Sequence, residues 1–295
     1  MKSYKKCIKC FFDQADRTAL LVGADEGKRK EIRRKIKNYL KNVSFLRSPA
    51  DLSNRAIEIA CEVTGVPDPY LHLKEKYNRI AKKLYPKLKK IMMGAKDRLL
   101  MSIKMAIAGN IIDLGILINI DIDKTIKKAI GTNFAGRNYN LLKKMLEKPR
   151  NILYICDNAG EIVFDRLLIE ELLKKHQVVV SVKSGPVIND AMAKDAKYAG
   201  ISKITKVITT GNGCLGVVWR RSSKEFKDAF KNADLIISKG QANYETLEGF
   251  KTDRPIFFLM QSKCPVVAGY MKKKLGETLL ETNIKSVKNL TREQV

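Results

Sequence analysis

The spacing of apolar residues changes at about residue 148 of this 295-residue chain. From residue 4 to residue 146, apolar side chains recur every three or four positions, and breakers interrupt the pattern at residues 48–49, 65–67 and 131–133. Such spacing is typical of amphipathic helices. After residue 148, short apolar runs alternate with helical stretches. We therefore predict an α-helical domain over residues 1–148 and an α/β/α domain over residues 149–295.

The second half has the alternation expected of a parallel sheet. Strands are predicted at residues 151–156, 177–182, 204–209, 235–238 and 255–259, and helices at residues 161–174, 189–198, 224–231 and 243–250. Strands that alternate with helices favour a mainly parallel sheet with helices on both faces, so the predicted fold class is three-layer α/β. Ligands of such sheets bind beyond the carboxyl ends of the strands.

Acids and amides follow the first two predicted strands. Asp157 and Asn158 come directly after the first strand, and Asn189 and Asp190 follow the second and open the next predicted helix. Each pair alone is explained by helix capping, for which Asp and Asn are favoured. Because two adjacent strand ends both carry such a pair, one shared site is favoured. We predict Asp157, Asn158 and Asp190 as oxygen ligands of Mg²⁺ or Mn²⁺.

Two lysines stand at the ends of later strands. Lys239 and Gly240 follow the fourth strand, where a helix N-terminus would help to hold a phosphate group, and Lys263 follows the fifth strand. The alternative for Lys263 is a solvated loop lysine. The predicted catalytic residues are Asp157, Asp190 and Lys263, and the predicted substrate-binding residues are Asn110, Asp113, Glu161, Asn189, Lys239, Gly240 and Asn243.

Asn110 and Asp113 are the contribution of the helical half to this set. They are three positions apart in an apolar segment, so they share one helix face. An unpaired carboxylate in such a helix would be costly. A buried structural hydrogen bond and a position lining the cleft between the domains both explain the pair, and the sequence leaves the two open.

The cysteines and one glycine-rich segment carry weaker signals. Six cysteines without a secretory signal indicate a reduced, cytoplasmic protein. Cys7 and Cys10 form a C-x-x-C pair, but the second pair that a four-ligand zinc site needs is missing from the sequence. We therefore favour two packed cysteines on the first helix over a redox pair or a partial metal site. Residues 211–216 match G-x-G-x-x-G, but no helix start and no acidic strand end follow, so we interpret them as a flexible loop near the site.

The chain is strongly basic, with 57 Lys and Arg residues against 31 Asp and Glu residues and a net charge of +26. This balance favours an anionic partner such as a nucleic acid, an anionic lipid or a small phosphorylated metabolite. The basic residues are spread through both halves without a nucleic-acid-binding motif, so specific nucleic-acid binding is not expected. The apolar run 99–120 contains Lys104, Asn110 and Asp113, which predicts a buried helix and no membrane span.

Several of these segments resemble one protein family. Residues 157–165, 185–190 and 233–245 are similar to the signature blocks of the metal-dependent damage-control phosphatases, formerly a family of unknown function. Residues 109–113, the Cys7 and Cys10 pair and residues 263–268 resemble its archaeal and prokaryotic-type branch. The resemblance spans nearly the whole chain, and the Asp-Asn-Ala-Gly-Glu block at residues 157–161 is specific.

The resemblance implies a helical domain joined to a three-layer α/β/α domain, and a divalent cation (Mg²⁺, Mn²⁺, Ni²⁺ or Co²⁺) held by the residues that match Asp157, Asn158 and Asp190. It also implies that Lys263 binds phosphate with help from the loop at Lys239 and Gly240. Members of the family hydrolyse phosphomonoesters, often sugar phosphates or damaged metabolites. The native metal, the physiological substrate and the oligomeric state are left open.

In the expected mechanism the metal polarises a phosphoryl oxygen, and Lys263 neutralises charge that develops in the transition state. Water is favoured over Asp157 or Asp190 as the nucleophile, because both carboxylates are needed as ligands. Two alternative functions remain: an S-adenosylmethionine-dependent carboxyl methyltransferase, also proposed within this family, and a basic nucleic-acid-binding protein. The incomplete glycine motif counts against the first, and the spread of the charge counts against the second.

Overall fold

The computed structural model describes residues 1–115, 131 and 137–284, without the side chains of residues 110–115 and 137. Within the described ranges, six helices precede the sheet: α1 (Cys7–Leu20), α2 (Glu26–Leu40), α3 (Pro49–Thr64), α4 (Leu71–Met93), α5 (Arg98–Gly115) and α6 (Arg137–Met145). The breakers in the sequence act as predicted at α3. Ser48 caps this helix by accepting a hydrogen bond from the Asp51 amide, Pro49 occupies its first position, and Gly65 ends it with a left-handed φ of 74°.

The second half of the chain alternates strands and helices. The strands are β1 (Asn151–Ile155), β2 (Gln177–Val182), β3 (Lys206–Thr209), β4 (Leu235–Lys239), β5 (Ile256–Gln261) and β6 (Thr278–Thr282). The helices are α7 (Glu161–Leu172), α8 (Ala193–Ala199), α9 (Lys224–Asn232), α10 (Gln241–Leu247) and α11 (Pro265–Met271). The chain thus follows the predicted order of elements.

All six strands belong to one sheet with the order β3-β2-β1-β4-β5-β6. The first five are parallel, and β6 pairs antiparallel with β5. The predicted fold class, a mainly parallel sheet in a three-layer arrangement, is confirmed. The edge strand β6 was not predicted, because only two of its five residues are buried and its hydrophobic pattern is correspondingly weak.

The helix after β2 begins later than predicted. Asn189 and Asp190 were expected to open it, but α8 begins at Ala193, and the Asp195 carboxylate accepts a hydrogen bond from the Met192 amide at 2.8 Å. The free backbone amide at the start of the helix is therefore bonded by Asp195, a residue inside the helix. Asn189 and Asp190 lie in the preceding loop, so their side chains are not needed as caps.

Two hydrophobic cores lie on the two faces of the sheet. Side chains of α4 to α8 pack on one face, with Tyr154 and Phe164 among the largest that are fully buried. Side chains of α9, α10 and α11 pack on the other face. Helices α1, α2 and α3 form a further cluster around Phe11 and Ile36. The division into domains at residue 148 stays a prediction; in the packing, α4 to α6 share the core of the sheet.

Helix α3 connects this N-terminal cluster to the loops of the sheet. Ala50 and Ile57 pack against Val187 and Leu215, which lie in loops beyond β2 and β3. Helix α3 thereby packs against loops at the carboxyl edge of the sheet, and α1 and α3 form one wall of the pocket described below. No helix in the described ranges has both the length and the apolar character needed to cross a membrane.

Candidate functional site

The site lies where the strand order of the sheet reverses. From β1 the chain continues outward to β2 and β3, then returns so that β4 pairs with the other side of β1. At such a switch point, the loops leaving the two central strands diverge to opposite faces and leave a crevice at the carboxyl edge. Asp157 follows β1 and Gly240 follows β4, so both border this crevice.

The loops after β1 and β2 are joined by backbone hydrogen bonds. The Ala159 amide donates to the Asn189 carbonyl at 2.9 Å, and the Ala191 amide donates to the Asp157 carbonyl at 2.8 Å. As a result Asn158 and Asp190 stand opposite each other as an isolated bridge. The structure therefore brings together the three residues predicted as metal ligands, which are 33 positions apart in the chain at most.

One residue of this loop has a strained backbone. Ile188 has a φ of 40°, in the left-handed region that a β-branched side chain rarely adopts. Such strain costs roughly 1–3 kcal/mol and persists only where the surrounding contacts enforce it. Ile188 lines the pocket directly before Asn189 and Asp190, so the strained residue is part of the loop that sets their position.

The two candidate carboxylates are buried close to other acids. Asp157 and Asp190 are only 8% and 4% exposed. Burial raises the pKa of Asp157 well above its ordinary value, and the charges of Glu161 and Asp190 raise it further. Burial also raises the pKa of Asp190 to about 6, although Lys183 opposes the shift. The site thus concentrates negative charge that a cation would stabilise.

The atoms of this group are chemically suited to a hard divalent cation. The Asn158 amide nitrogen donates to Asp157 Oδ2 at 2.8 Å and to Glu161 Oε2 at 3.0 Å, so its Oδ1 is the atom left to act as a ligand. Two carboxylates and one amide oxygen make an all-oxygen donor set. Within the described ranges, no group of three or more His, Cys, Asp or Glu side chains could hold a metal. The candidate set contains two such residues and an amide.

Lys239 is fully buried beneath the crevice. Its ammonium donates to Glu161 Oε1 at 2.6 Å, to Asp165 Oδ1 at 2.5 Å and to the Ala106 carbonyl at 2.8 Å. Burial alone lowers the pKa of Lys239, but the charges of Asp165 and Glu161 outweigh it and raise the pKa above its ordinary value. The ammonium that we predicted to contact phosphate is thus already bound by three protein groups. These contacts connect β4 to α5 and α7.

Gly240 allows the close approach of β4 to Asp157. A Cβ atom at Gly240 would lie 2.1 Å from Cγ of Asp157, and the φ of Gly240 is 81°. Only glycine fits this position without displacing the carboxylate. Asn243 is also buried, and its amide donates to the carbonyls of Cys156 and Lys239 at 3.1 and 2.7 Å. Both residues therefore hold the ends of β1 and β4 together.

Lys263 differs from Lys239 in its surroundings. It is half-buried, its backbone amide donates to Gln241 Oε1 at 2.8 Å, and no described residue pairs with its ammonium. Its charge lowers the pKa of Asp157, which places the ammonium within electrostatic reach of that carboxylate. Of the two lysines predicted to bind phosphate, Lys263 has the ammonium that is accessible to a ligand.

The crevice opens into a pocket of about 450 Å³, a size typical of small-molecule sites. Asp157, Asn158, Asn189, Asp190 and Lys263 line it together. Glu161, Lys239, Gly240 and Asn243 lie behind this surface. The predictions for Asn110 and Asp113 concern side chains that lie outside the described residues.

The N-terminal helices form the opposite wall of the pocket. Cys7 and Cys10 line it from α1, together with Cys264 from the loop after β5. All three thiols are free, with Cys7 buried and Cys10 exposed. Both cysteines of the C-x-x-C pair lie on the first helix and face the candidate site, but the prediction that both are packed is wrong for Cys10, which is exposed.

The glycines of the 211–216 loop serve close packing within the protein. A Cβ atom at Gly213 would lie 2.9 Å from the Gly185 backbone, and one at Gly216 would lie 2.5 Å from the Ala242 carbonyl. The Gly216 carbonyl accepts a hydrogen bond from the buried Lys183 ammonium at 2.7 Å. The loop therefore lies beside the site, as predicted, and these two glycines allow close packing against Gly185 and Ala242.

Sequence reasoning missed two residues that shape the site. Lys183 directly follows β2, and its ammonium is 3.5 Å from Asp190 Oδ2. Its position at a strand end is the same signal that identified Lys239, so the pattern was present. Asn78 on α4 accepts a hydrogen bond from the Gly160 amide at 2.7 Å and donates to Asp195 at 2.7 Å. No local pattern marks Asn78, because its partners are more than 80 residues away.

Comparisons with known proteins identify the family of the chain. The family profile described as the damage-control phosphatase ARMT1-like domain matches residues 3–279. A damage-control phosphatase of Pyrococcus horikoshii is 33% identical over 96% of this chain and 99% of its own length. A damage-control phosphatase of Archaeoglobus fulgidus is 30% identical, over 94% and 98% of the two chains. A protein of Methanocaldococcus jannaschii is 36% identical over 95% of each chain.

A solved structure shows the same fold. The crystal structure of a DUF89 family protein from Pyrococcus horikoshii superposes with a TM-score of 0.87 at 32% identity, covering 96% of this chain and 100% of the other. Family profile, relatives and structure therefore agree along nearly the whole chain, and the relatives' names support a phosphatase role. The chain belongs to the damage-control phosphatase family with the ARMT1-like domain.

Proposed function

We propose that this protein is a metal-dependent phosphatase that hydrolyses small phosphomonoesters, such as sugar phosphates or damaged phosphorylated metabolites. The observation that carries the proposal is the convergence of Asp157, Asn158 and Asp190 with the accessible ammonium of Lys263 in one pocket. The first three residues supply oxygen ligands for a divalent cation, and the lysine supplies a positive charge for the phosphate.

The roles of the residues follow from their atoms. A divalent cation held by Asp157, Asn158 and Asp190 would stabilise negative charge on the phosphoryl oxygens and lower the pKa of a water molecule. Lys263 binds a phosphoryl oxygen and neutralises the charge that develops as the ester bond breaks. Because the carboxylates of Asp157 and Asp190 serve as ligands, water is the nucleophile in this proposal.

The buried residues hold this arrangement in place. Glu161 accepts from both Asn158 and Lys239, so it fixes the amide orientation that turns the Asn158 oxygen toward the site. Lys239 also compensates the charge of Asp165. In this proposal Lys239 is a positioning residue, and Lys263 is the lysine that contacts substrate.

Metal-dependent phosphate release tests the proposal. Protein stripped with a chelator is assayed with a panel of sugar phosphates after addition of Mg²⁺, Mn²⁺, Co²⁺ or Ni²⁺. We expect activity to return only with a divalent cation and to be lost in Asp190→Asn. Because Asp190→Asn also leaves the buried Lys183 ammonium without its carboxylate, circular dichroism of the metal-free variant has to show that it is folded at the assay temperature.

Lys263→Ala is the companion variant. Loss of a charged contact to phosphate should lower kcat/KM by about tenfold or more and change metal affinity only a little. Lys251→Ala, which removes an exposed lysine outside the pocket, is the matched control. Full activity of the chelator-treated protein, or wild-type turnover by Asp190→Asn, would refute the proposed function.

A further inference from the structure

Helix α1 presents one continuous face to the pocket. Cys7, Cys10, Phe11, Gln14 and Arg17 all line it, and their spacing of three, one, three and three positions puts them on one side of the helix. Cys10 and Arg17 are seven residues apart, so about 10 Å of helix axis separates them. The wall therefore extends well beyond the width of a single phosphate group.

The two ends of this wall are different in character. Cys10 lines the pocket together with Lys263 and Cys264, so the Cys10 end of α1 faces the loop that carries Lys263. Phe11 is the next lining residue on the same face. Gln14 and Arg17 follow at the far end. A ligand whose phosphate is bound by Lys263 would thus extend past an apolar side chain toward an amide and a guanidinium.

The charges on α1 are arranged so that only Arg17 is left for a ligand. Asp13, which also lines the pocket, pairs with the Lys9 ammonium at 2.7 Å, and Asp16 pairs with Arg29 at 2.8 Å. No acidic side chain of the described residues forms an ion pair with Arg17, and no described residue bonds to the Gln14 amide group. The acids nearest in sequence are therefore neutralised by other cations, and Arg17 is available to a ligand.

We propose that the substrate carries a second anionic group, a carboxylate or a second phosphate, at the end of its carbon skeleton remote from the phosphate that is removed, and that Arg17 binds this group with Gln14 beside it. This inference rests on the proposed function and specifies its substrate class. A guanidinium suits both anions, because its fork of N–H donors matches two oxygens of either. Arg17 would thereby select acidic phosphate esters over neutral ones.

Three probes with the same six-carbon chain test this inference. They are a hexitol 6-phosphate with a neutral far end, the aldonic acid 6-phosphate with a carboxylate there, and the hexitol 1,6-bisphosphate. Because Arg17 is exposed, we expect a moderate effect: a kcat/KM for the acidic probes about fivefold above that for the neutral probe. The probe with the larger gain identifies which anion the site prefers.

Variants assign the preference to Arg17. Arg17→Gln should bring the ratio of acidic to neutral kcat/KM to about one, through a higher KM for the acidic probes and an unchanged kcat. Arg17→Lys should keep part of the preference, since the positive charge remains. Arg34→Gln, which removes an exposed arginine of α2 outside the pocket, should leave the ratio unchanged.

The outcomes separate this inference from the proposed function. Hydrolysis of the neutral probe without any preference for acidic probes overturns the role of Arg17 and leaves the phosphatase assignment intact. A preference that persists in Arg17→Gln overturns it as well. Failure to hydrolyse any phosphate ester with any divalent metal refutes the proposed function, and this inference with it.

Discussion

Replacing Lys239 with methionine tests whether this lysine positions the site or binds substrate. In the folded protein its ammonium contacts Glu161, Asp165 and the Ala106 carbonyl, and the side chains of all three charged residues are fully buried. Methionine keeps much of the side-chain volume and removes the charge. The variant therefore leaves two buried carboxylates without their cation and one carbonyl without its donor.

The expected loss of free energy of unfolding is a large fraction of the stability of a typical protein. Removing one partner of a buried ion pair costs about 3–5 kcal/mol, because the remaining charge is uncompensated. The total free energy of unfolding is commonly about 5–15 kcal/mol. We expect Lys239→Met to lose about 3–5 kcal/mol. Adding Asp165→Asn should restore part of this loss, because it removes one of the two unpaired charges.

Urea unfolding of the metal-free protein measures this difference. Trp219, the single tryptophan of the chain, packs against Phe230 and Phe250 and reports the loss of the core by fluorescence. Lys251→Met, at an exposed lysine, should change the free energy of unfolding by less than about 0.5 kcal/mol.

A different result would point to substrate binding by Lys239. Our reasoning is refuted if the free energy of unfolding of Lys239→Met is within about 1 kcal/mol of the wild-type value and the m-value is unchanged. The buried ion pair would then contribute little to stability. A low kcat/KM together with wild-type stability would then assign Lys239 to the substrate, as the sequence pattern suggested.

Two further predictions concern Asp157 and Asp165. Gly240→Ala should strongly weaken metal binding measured by titration calorimetry, because a Cβ atom there displaces the Asp157 carboxylate. Gly249→Ala, whose Cβ atom meets open space, should bind metal like the wild type. Equal metal affinities of the two variants would contradict the role of Gly240. Burial raises the pKa of Asp165 to about 6. Because the folded protein then binds this proton more tightly than the unfolded chain, the contribution of Asp165 to the free energy of unfolding is complete below about pH 4. The contribution is lost as the pH rises toward 6, by at most about 1.4 kcal/mol per pH unit. Urea unfolding of the metal-free protein across this range should show a shallower decline for Asp165→Asn, and identical pH profiles would contradict the assignment.

Much of the candidate site was visible in the sequence because it lies at strand ends. A short apolar run that stops at Asp157 shows where β1 ends, and the same holds for β2 before Lys183 and β5 before Lys263. Parallel strands place all such ends on one edge of the sheet, so the residues that follow them are brought together by the fold class itself. The local pattern and the fold class are thus sufficient to predict that Asp157 and Asp190 lie at the same edge of the sheet.

The direction and partners of each side chain needed the tertiary structure. Lys239 and Lys263 both follow apolar strands in the sequence, yet one ammonium is buried against Glu161 and Asp165 and the other is accessible. The difference arises because α7 supplies two acids beneath β4, whereas β5 ends at the pocket. A strand's own sequence cannot specify which helix covers it.

The sequence by itself determined the alternation of strands and helices, the α/β fold class and the candidate ligands at the strand ends, because these depend on hydrophobic spacing and on local chemistry. Only the tertiary structure decided that β1 lies beside β4, that the loops after β1 and β2 are hydrogen-bonded to each other, and that α1 forms the far wall of the pocket. These long-range contacts bring residues up to about 250 positions apart, such as Cys10 and Lys263, to the lining of one pocket. Their energies arise from packing and burial between distant segments, which no local pattern records.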